Sequence, residues 1–417
     1  MAIDTVCVVG LGYIGLPTAA VFASRKFRVL GLDVNQDAVD TINRGEIHIV
    51  EPDLDMVVNA AVGQGYLRAS TKPEPAGAFL IAVPTPFKGE QHEPDLSYVE
   101  AAAKSIAPVL KEGDLVILES TSPVGTTEKV ADWMAQARPD LTFPQQAGEK
   151  SDIRVAHCPE RVLPGHVLSE LVHNDRVIGG MTTRCAAVAA DLYRAFLKGE
   201  CILTTARTAE MCKLAENSFR DVNIAFANEL SMICDSLDID VWELVRLANR
   251  HPRVNILQPG PGVGGHCIAV DPWFIVSSAP DQSRLITTAR HVNDDKPLWV
   301  INRVKAAVAD FLRDNPEKSI RDITIGCYGL AFKADIDDLR ESPALNIART
   351  LMAEHGGPVK LVEPNLCRCP DWLESEDLIS FDRALEEADI HVLLVDHASF
   401  KRIRPQTGII VDTRGIW

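Results

Sequence analysis

The stretch Val6-Cys7-Val8-Val9-Gly10-Leu11-Gly12-Tyr13-Ile14-Gly15 decides the fold of the N-terminal part of the chain. An apolar, β-branched run ends at Gly10, and Gly10, Gly12 and Gly15 form a G-x-G-x-x-G pattern. In this pattern the first glycine permits a tight turn, the second lets a pyrophosphate approach the backbone, and the third lets helix and strand pack closely. The following helix presents free N–H groups and the positive end of its dipole to the phosphates. The pattern predicts a strand–turn–helix unit that binds a dinucleotide.

The next predicted strand, Arg28–Asp33, ends in an acid that lies 18 residues after Gly15. An acid at about that distance accepts hydrogen bonds from ribose hydroxyls. Because its charge would repel a 2′-phosphate, Asp33 favours NAD over NADP. A surface aspartate beside a glycine-rich turn is the non-functional alternative. Further hydroxyls at predicted strand ends, where open α/β sheets bind ligands, are those of Thr85, Thr121 and Thr127.

Apolar runs alternate with helical patterns at both ends of the chain, which predicts an α/β protein with two Rossmann-like, doubly wound parallel-sheet domains. A strand runs into a glycine turn at Gly10 and again at Gly329, and strands end in Asp33 and in Glu363. These similarities suggest a duplicated architecture, although chance likeness between two α/β halves would also explain them. The predicted strands are Thr5–Gly10, Arg28–Asp33, Phe79–Val83 and Leu115–Ser120, then Ile323–Tyr328, Val359–Val362, His391–Val395 and Ile409–Asp412.

The segment from Thr208 to Leu237 contains no proline or glycine and has helical periodicity. It predicts one long central helix of about 45 Å that joins the two domains. We expect residues 1–200 to bind NAD and residues 201–314 to form a helical dimerisation region with a cysteine-bearing loop. Residues 315–417 are expected to form the second Rossmann-like domain.

The charge balance excludes several classes of protein. The 417 residues include 42 Lys and Arg against 58 Asp and Glu, a net charge of −16, which argues against general binding of nucleic acid or anionic membranes. The apolar run Val6–Ser24 has no basic region before it and is broken by glycines and Pro17, so neither a signal peptide nor a membrane helix is predicted. Ten scattered cysteines are typical of the reducing cytoplasm. No metal site is predicted, since the C-x-C of Cys367 and Cys369 stands alone.

A second glycine-dense stretch, Gly262–Gly265, leads to Cys267, a candidate nucleophile, with Asp271 four residues further on. On the long helix, Lys213, Asn217 and Arg220 share one face. An ammonium group near the cysteine would lower the thiol pKa and favour the thiolate. The non-functional alternatives are a small buried cysteine and a solvated polar helix face.

Six ordered motifs resemble the nucleotide-sugar 6-dehydrogenase family, represented by UDP-glucose dehydrogenase, over essentially the whole chain. The UDP-glucose branch usually has lysine where this chain has Val270. The stretch 251–262 and Ala269 instead resemble the N-acetylhexosamine branch. The motifs are the G-x-G-x-x-G with Asp33, Ser120-Thr121 before Pro123 and Gly125-Thr126-Thr127, Cys158-Pro159-Glu160-Arg161, Lys213-Leu214-x-x-Asn217-x-x-Arg220, Gly264-Gly265-His266-Cys267 with Asp271, and Gly329-Leu330-Ala331-Phe332-Lys333 with Arg340-Glu341-Ser342-Pro343.

The resemblance implies an NAD-dependent, four-electron oxidation of the C6 alcohol of a UDP-sugar to a carboxylate, with two NAD and one water. The expected substrate is UDP-N-acetyl-D-mannosamine, and UDP-glucose and UDP-N-acetylglucosamine are alternatives. Cys267 would carry a thiohemiacetal and then a thioester. Lys213, Asn217 and Asp271 would manage the alcohol proton and the oxyanions, while Glu160 and Thr121 would place the hydrolytic water.

The resemblance also implies binding residues for each ligand and a cytoplasmic homodimer. A two-electron enzyme that stops at the aldehyde and a catalytically inactive NAD-binding regulatory protein remain alternatives. The cofactor residues are Gly10, Gly12, Tyr13, Ile14, Gly15, Asp33, Thr85, Thr121, Thr127 and Arg340. The substrate residues are Arg161, Val162, Lys213, Asn217, Arg220, His251, Arg253, Gly264, Phe332 and Lys333.

Overall fold

A computed structural model describes residues 3–89, 92–163, 165–265, 267–366, 373 and 377–417. The chain divides into two compact units. The first comprises the residues up to Glu216 together with Trp273–Pro280, and the second comprises Asn217–Pro272 together with Asp281–Trp417. His266, Cys367 and Cys369, which were singled out in the sequence, lie outside the described residues.

The first unit alternates strands and helices along the chain. Its strands are β1 (Thr5–Val9), β2 (Arg28–Leu32), β3 (Leu67–Ser70), β4 (Ala78–Ile81), β5 (Phe87–Lys88), β6 (Glu93–Pro94), β7 (Leu115–Leu118), β8 (Arg154–His157), β9 (Arg176–Gly180) and β10 (Cys201–Thr205). Its helices are α1 (Gly15–Ser24), α2 (Gln36–Asn43), α3 (Leu54–Gly63), α4 (Ser97–Ile106), α5 (Thr126–Ala137), α6 (Pro144–Ala147), α7 (Val167–His173) and α8 (Thr183–Tyr193).

Within the described residues, these strands form an eight-stranded sheet in the order β10-β9-β8-β7-β4-β1-β2-β3 and a separate β5–β6 pair. The strands from β8 to β3 in this order run parallel, which confirms the predicted fold class. At the other edge, β9 pairs antiparallel with β8, and β10 runs parallel to β9. The carboxyl ends of β7 and β8 therefore meet the beginning of β9.

Alternate residues of β1 enter two different hydrophobic cores. Val6 and Val8 pack with residues of α1, α3 and α8, whereas Cys7 and Val9 pack with residues of α4 and α5. Strands that are apolar on both faces are typical of a parallel sheet covered by helices on each side. This double burial explains why the N-terminal strands read as continuous apolar runs.

Two long helices precede the second sheet. Helix α9 (Ala206–Ser236) confirms the predicted long helix, and the division between the units falls within it. Helix α12 (Arg284–Asp314) is equally long and contains Pro297. The other helices that follow α9 are α10 (Val241–Ala248), α11 (Asp271–Ser278), α13 (Pro343–Glu354) and α14 (Phe381–Glu387).

The second sheet has the strand order β12-β11-β13-β14 within the described residues, and all its pairs are parallel. One of its faces packs on α12 and α13 and the other on α14. The predicted second Rossmann-like domain is therefore confirmed as a small parallel α/β sheet. Its strands are β11 (Ile325–Tyr328), β12 (Val359–Val362), β13 (Ile390–Leu393) and β14 (Ile409–Asp412).

Candidate active site

The first glycine turn is built for close packing on one side and for a ligand on the other. Gly10 has φ +90°, and a Cβ there would lie 2.6 Å from the Ala82 carbonyl oxygen. A Cβ at Gly15 would lie 1.8 Å from the Gly10 oxygen, so neither position can carry a side chain. A Cβ at Gly12 would meet nothing within 4 Å. The open space at Gly12 fits the approach of a pyrophosphate to the backbone.

Asp33 is fixed beside this turn by two backbone donors. Its Oδ2 accepts from the Leu11 N–H at 2.8 Å and its Oδ1 accepts from the Asn35 N–H at 2.9 Å. Each carboxylate oxygen keeps a further lone pair that can receive a ribose hydroxyl. Asp33 is only partly buried, and Tyr13 of the turn is exposed. The site therefore fits NAD.

The second Rossmann-like domain also has a glycine turn beside an acid, but there the acid is buried. The Gly329 N–H donates to the Val362 carbonyl of β12, just as the Gly10 N–H donates to the Leu32 carbonyl of β2. The Leu330 N–H donates to Glu363 at 2.7 Å. Glu363, unlike Asp33, is buried and is also bonded to His397 at 3.0 Å. Asp33 is therefore the more accessible of the two acids, and its bond to a ribose stays a prediction.

The ends of β4 and β7 bring together two of the predicted hydroxyl residues. The Thr85 hydroxyl donates to the Thr121 carbonyl at 2.5 Å. The Thr127 hydroxyl instead donates to Glu210 at 2.6 Å, and Thr127 is fully buried. Glu210 also accepts from the Gly125 and Thr127 N–H groups at the start of α5, where the helix dipole favours an anion.

Glu160 follows β8 and belongs to a buried ionic cluster that the sequence analysis missed. Its Oε2 accepts from the guanidinium of Arg176 at 3.0 Å. Arg176 also lies 3.9 Å from Glu119, which accepts a hydrogen bond from the Tyr193 hydroxyl at 2.5 Å. Burial raises the pKa of the Glu119 carboxyl to about 7, partly opposed by Arg176. The sequence signal for this cluster was Glu119, a glutamate directly after the apolar strand β7.

Three further substrate candidates lie in the first unit, and two of them, Arg161 and Val162, have protein contacts. Arg161 forms an ion pair with Glu216 at 2.7 Å and donates to the Asp175 carbonyl at 3.2 Å. Val162 is partly buried against the hydrophobic core that contains α1. Lys213 lies on α9, one helical turn before Asn217.

In the second unit, Asn217 and Asp271 meet directly. The Asn217 side-chain amide donates to Asp271 Oδ2 at 2.5 Å, and both residues are buried, 5% and 3% exposed. The Asp271 N–H donates to the Cys267 carbonyl at 2.8 Å, so Cys267 lies one turn before the start of α11. Cys267 itself is exposed. The structure thus joins three of the predicted catalytic residues in one local arrangement.

The glycines before Cys267 are required by close packing against the C-terminal domain of the same unit. A Cβ at Gly264 would lie 2.3 Å from the Glu341 carbonyl and 2.7 Å from Pro343. A Cβ at Gly265, where φ is +85°, would lie 3.3 Å from the Phe332 ring. A Cβ at Gly264 would also lie 3.3 Å from the Phe332 Cβ, so the predicted substrate residues Gly264 and Phe332 are neighbours.

A buried polar network, also missed from the sequence, anchors this loop to α9. Asp221 accepts from Arg290 at 2.6 Å and from Asn293 at 2.8 Å. Asn228 donates to Asn293 at 2.9 Å and accepts from the Gly260 N–H at 2.9 Å. The signal was the pair of polar residues seven positions apart on α9, Asp221 and Asn228, which place their side chains on one face.

The remaining predicted binding residues lie at the surface. Arg220, His251, Arg253 and Lys333 are exposed, and the Arg253 N–H donates to His251 Nδ1 at 3.4 Å. Arg340 is also exposed and forms an ion pair with Asp338 at 2.6 Å. Their assignments to substrate or cofactor stay predictions.

Sequence profiles of one family match three consecutive segments of the chain. They describe the NAD binding domain (residues 4–197), the central domain (207–295) and the UDP binding domain (326–417) of the UDP-glucose/GDP-mannose dehydrogenase family. The chain belongs to this family. It is therefore an NAD-dependent dehydrogenase of nucleotide sugars, as the sequence motifs predicted.

Named relatives of this dehydrogenase are similar over their full length. The UDP-N-acetyl-D-mannosamine dehydrogenase of Yersinia pestis is 66% identical over 100% of both chains. The NDP-N-acetyl-D-galactosaminuronic acid dehydrogenase of Ralstonia nicotianae is 64% identical, covering 99% of this chain and 96% of the relative. The solved UDP-D-ManNAc dehydrogenase of Pyrococcus horikoshii has a TM-score of 0.86 at 38% identity, over 99% of this chain and 96% of the other.

Two structural features are absent from the described part of this dehydrogenase. None of the helices there combines the length and hydropathy of a bilayer-spanning segment. The same residues contain no group of three or more His, Cys, Asp or Glu side chains arranged to hold a metal ion.

Proposed function

We propose that this dehydrogenase oxidises the C6 alcohol of UDP-N-acetyl-D-mannosamine to the carboxylate of UDP-N-acetyl-D-mannosaminuronate. The observation that carries the proposal is the Asn217–Asp271 hydrogen bond, one turn after Cys267. The turn from Cys267 to Asp271 contains a candidate nucleophile and a carboxylate, and α9 contributes an amide donor bonded to that carboxylate. Oxidation of an alcohol beyond the aldehyde needs such groups, which supports the proposal.

The glycine turn and the fixed carboxylate of Asp33 support NAD as the cofactor. When bound, NAD accepts a hydride, and complete oxidation to the acid consumes two NAD and one water. Asp33 would hold the ribose, and the N-terminus of α1 would face the pyrophosphate. The full set proposed to hold NAD is Gly10, Gly12, Tyr13, Ile14, Gly15, Asp33, Thr85, Thr121, Thr127 and Arg340.

The first task of the protein residues is to take the proton of the C6 alcohol. Asp271 is the carboxylate available in the Cys267 segment, and its Oδ2 is held by Asn217. In the proposal, Asp271, Lys213 and a water handle this proton together: the Asp271 carboxylate accepts it through the water, while Lys213 stays an ammonium. Lys213 also supplies positive charge near the oxygen that becomes an alkoxide.

The second task is to capture the aldehyde. The Cys267 thiolate adds to C6, so that a C–S bond forms and the carbonyl oxygen becomes an oxyanion of a thiohemiacetal. Asn217 and Lys213 stabilise that oxyanion. The adduct has the alkoxide character that hydride loss requires, and its oxidation gives a thioester. Covalent capture also retains the reactive aldehyde.

The third task is hydrolysis of the thioester. Water adds to the thioester carbon, the C–S bond breaks, the sulfur leaves as the Cys267 thiolate, and the acid forms. Glu160 receives the proton of the attacking water, and Thr121 helps to hold that water. The Glu160 carboxylate, bonded to Arg176, remains an acceptor for such a proton because each oxygen has two lone pairs.

The sugar is assigned to the N-acetylhexosamine class, with D-mannosamine as the first choice. Val270 and Ala269 support this class, as does the Yersinia relative at 66% identity. The Ralstonia relative, at 64%, is named for a galactosaminuronic acid, so the configuration at the sugar ring is the point to test.

The proposed assembly places UDP-sugar binding in residues 315–417, NAD binding in residues 1–200, and dimerisation in residues 201–314. Exposed apolar side chains along α9 support a homodimer, because such a row is typical of a helix that packs on a partner. They are Met211, Phe219, Phe226 and Ile233. The exposed thiol of Cys267 supports a location in the reducing cytoplasm. The UDP-sugar residues proposed are Arg161, Val162, Lys213, Asn217, Arg220, His251, Arg253, Gly264, Phe332 and Lys333.

The testing experiment is NADH formation by the purified chain with a panel of UDP-sugars. The panel contains UDP-N-acetyl-D-mannosamine, UDP-N-acetylglucosamine, UDP-N-acetylgalactosamine and UDP-glucose. The proposal expects the highest kcat/KM with the mannosamine. A higher value with another sugar would overturn the substrate assignment, and no NADH with any sugar would favour an inactive NAD-binding protein.

A further inference from the structure

The buried cluster behind Glu160 contains groups that the proposed mechanism does not use. Arg176 stands at the start of β9 with 4% of its side chain exposed, and Glu119 follows β7 with 0% exposed. Glu160 follows β8 and is 9% exposed. Tyr193, at the end of α8, is fully buried beside them. Four polar side chains thus share one water-poor site at the carboxyl ends of β7 and β8.

The sheet topology places Arg176 against Glu160. In the antiparallel pair, Ala156 lies opposite Gly180 and His157 lies opposite Gly179. Continuing this register beyond the strand brings Arg176 opposite Glu160. The antiparallel turn at the edge of an otherwise parallel sheet therefore delivers a cation to the segment after β8.

The contacts fix Arg176 from three sides. Its Nη2 donates to Glu160 Oε2 at 3.0 Å, its Nη1 lies 3.9 Å from Glu119, and its guanidinium lies 4.5 Å from the centre of the Tyr193 ring. The other Glu160 oxygen accepts from the Arg161 N–H at 2.8 Å. Both carboxylate oxygens of Glu160 are therefore oriented.

We propose that Arg176 is a positioning residue for thioester hydrolysis, which holds the Glu160 carboxylate where it accepts the proton of the attacking water. Glu119 and Tyr193 in turn hold Arg176. The inference rests on the role proposed above for Glu160. A charge-assisted arginine–carboxylate bond is short and directional, and a misplaced proton acceptor costs rate even when it is still present.

The charges of the cluster are consistent with this role. One guanidinium, that of Arg176, faces two carboxyl groups. Burial raises the pKa of Glu119 to about 7, and the positive charge of Arg176 partly opposes that rise. Burial also raises the pKa of the adjacent Cys158 thiol to about 12, so this thiol is neutral. Of the two carboxyl groups, that of Glu160 is within hydrogen-bond distance of the guanidinium, at 3.0 Å, and that of Glu119 is not, at 3.9 Å.

The experiment separates acylation from hydrolysis. Rapid mixing with UDP-N-acetyl-D-mannosamine and NAD measures the first-turnover NADH burst, and intact-protein mass spectrometry measures the adduct on Cys267. For Arg176→Met we expect the burst rate to stay within about threefold of the parent. Steady-state turnover should fall at least about 100-fold, the scale of a lost general base, and the thioester adduct should accumulate.

Arg194→Met is the matched control, because Arg194 is an exposed arginine next to Tyr193 and pairs only with surface Asp191 among its described contacts. It should behave as the parent. Arg176→Lys, which keeps the charge but not the fork, should fall between the two. If Arg176→Met does not fold, Arg176→Lys and Tyr193→Phe carry the test with the same readouts.

Glu160→Gln distinguishes the two levels of the proposal. In one outcome, Glu160→Gln accumulates the thioester adduct, but the folded Arg176 variants slow the burst and the steady state equally and accumulate no adduct. The inference about Arg176 is then wrong, while the proposed role of Glu160 stands. If Glu160→Gln itself accumulates no adduct and turns over normally, the proposed role of Glu160 is wrong.

Discussion

The side-chain amide of Asn217 donates a hydrogen bond to the carboxylate of Asp271 at 2.5 Å. Helix α9 carries the donor, and the turn that begins at Cys267 carries the acceptor. Because both side chains are buried, this bond fixes the loop of the nucleophile to the long helix. Removal of the amide is therefore expected to disturb the carboxylate as well as the oxyanion.

Asn217→Ala should lower kcat by about 100-fold, the usual cost of losing one oxyanion donor. NAD affinity should stay unchanged, because Asn217 is not among the residues proposed to hold NAD. Asn223→Ala is the control, since Asn223 is on the same helix, is half-buried and bonds only to the Phe219 carbonyl among its described contacts. Steady-state kinetics measure both variants, and a kcat above one third of the parent value for Asn217→Ala would count against the role.

Asp33→Ala should weaken NAD binding by about 10- to 100-fold, because hydrogen bonds to a charged group contribute about 1.5–3 kcal/mol. Binding of the UDP-sugar should change much less. Isothermal titration with each ligand measures this, with Asp37→Ala, an exposed acid in the first turn of α2, as the control. Equal losses for the two ligands would contradict the ribose assignment.

Gly264→Ala should abolish most activity and lower the melting temperature, because its Cβ would lie 2.3 Å from the Glu341 carbonyl. The Glu341 carbonyl is part of the backbone, so it cannot move away from the added carbon as easily as the end of a flexible side chain could. Gly63→Ala is the matched control: Gly63 is in α3 with nothing within 4 Å of the added carbon. Thermal unfolding should show no loss for that variant. A parent-like melting temperature and activity for Gly264→Ala would show that the loop packs differently.

Lys296 predicts a pH dependence of stability. It is 2% exposed on α12, where it donates to the Ser231 hydroxyl at 2.6 Å and lies 3.6 Å from the centre of the Trp299 ring. Burial lowers the pKa of its ammonium to about 7 from the ordinary 10.5, partly opposed by Asp235. Between these values the unfolded chain binds the proton and the folded chain does not, so this group makes stability rise with pH.

Lys296→Met removes this dependence. The free energy of unfolding of the parent relative to the variant should rise by about 3 kcal/mol from pH 7 to pH 9.5. Urea unfolding at the two pH values measures it, with Lys305→Met on the same helix as the control, because Lys305 is exposed and paired with Glu354. Parallel pH profiles for parent and Lys296→Met would contradict a lowered pKa.

The elements that the sequence predicted well are those whose local signals and tertiary role agree. Strands β12 (Val359–Val362) and β14 (Ile409–Asp412) have the predicted bounds. Helix α12 was not predicted, because Pro297 interrupts its pattern.

In the candidate site, Asn217 and Asp271 were singled out by their motifs, but their contact is a tertiary fact that spacing does not contain. Arg176 and Glu119 were missed for a similar reason. The antiparallel direction of β9 brings Arg176 to Glu160. No local sequence pattern predicts that a strand at the edge of a parallel sheet runs in the opposite direction.

The central claim, covalent four-electron oxidation at Cys267, is tested most directly by the ratio of NADH formed to uronate formed from UDP-N-acetyl-D-mannosamine. The account predicts two NADH per uronate for the parent and no uronate for Cys267→Ala. Cys234→Ala, a buried cysteine on α9, is the control and should keep the parent ratio. A ratio of one with an aldehyde product, or a parent-like yield of uronate from Cys267→Ala, would contradict the account.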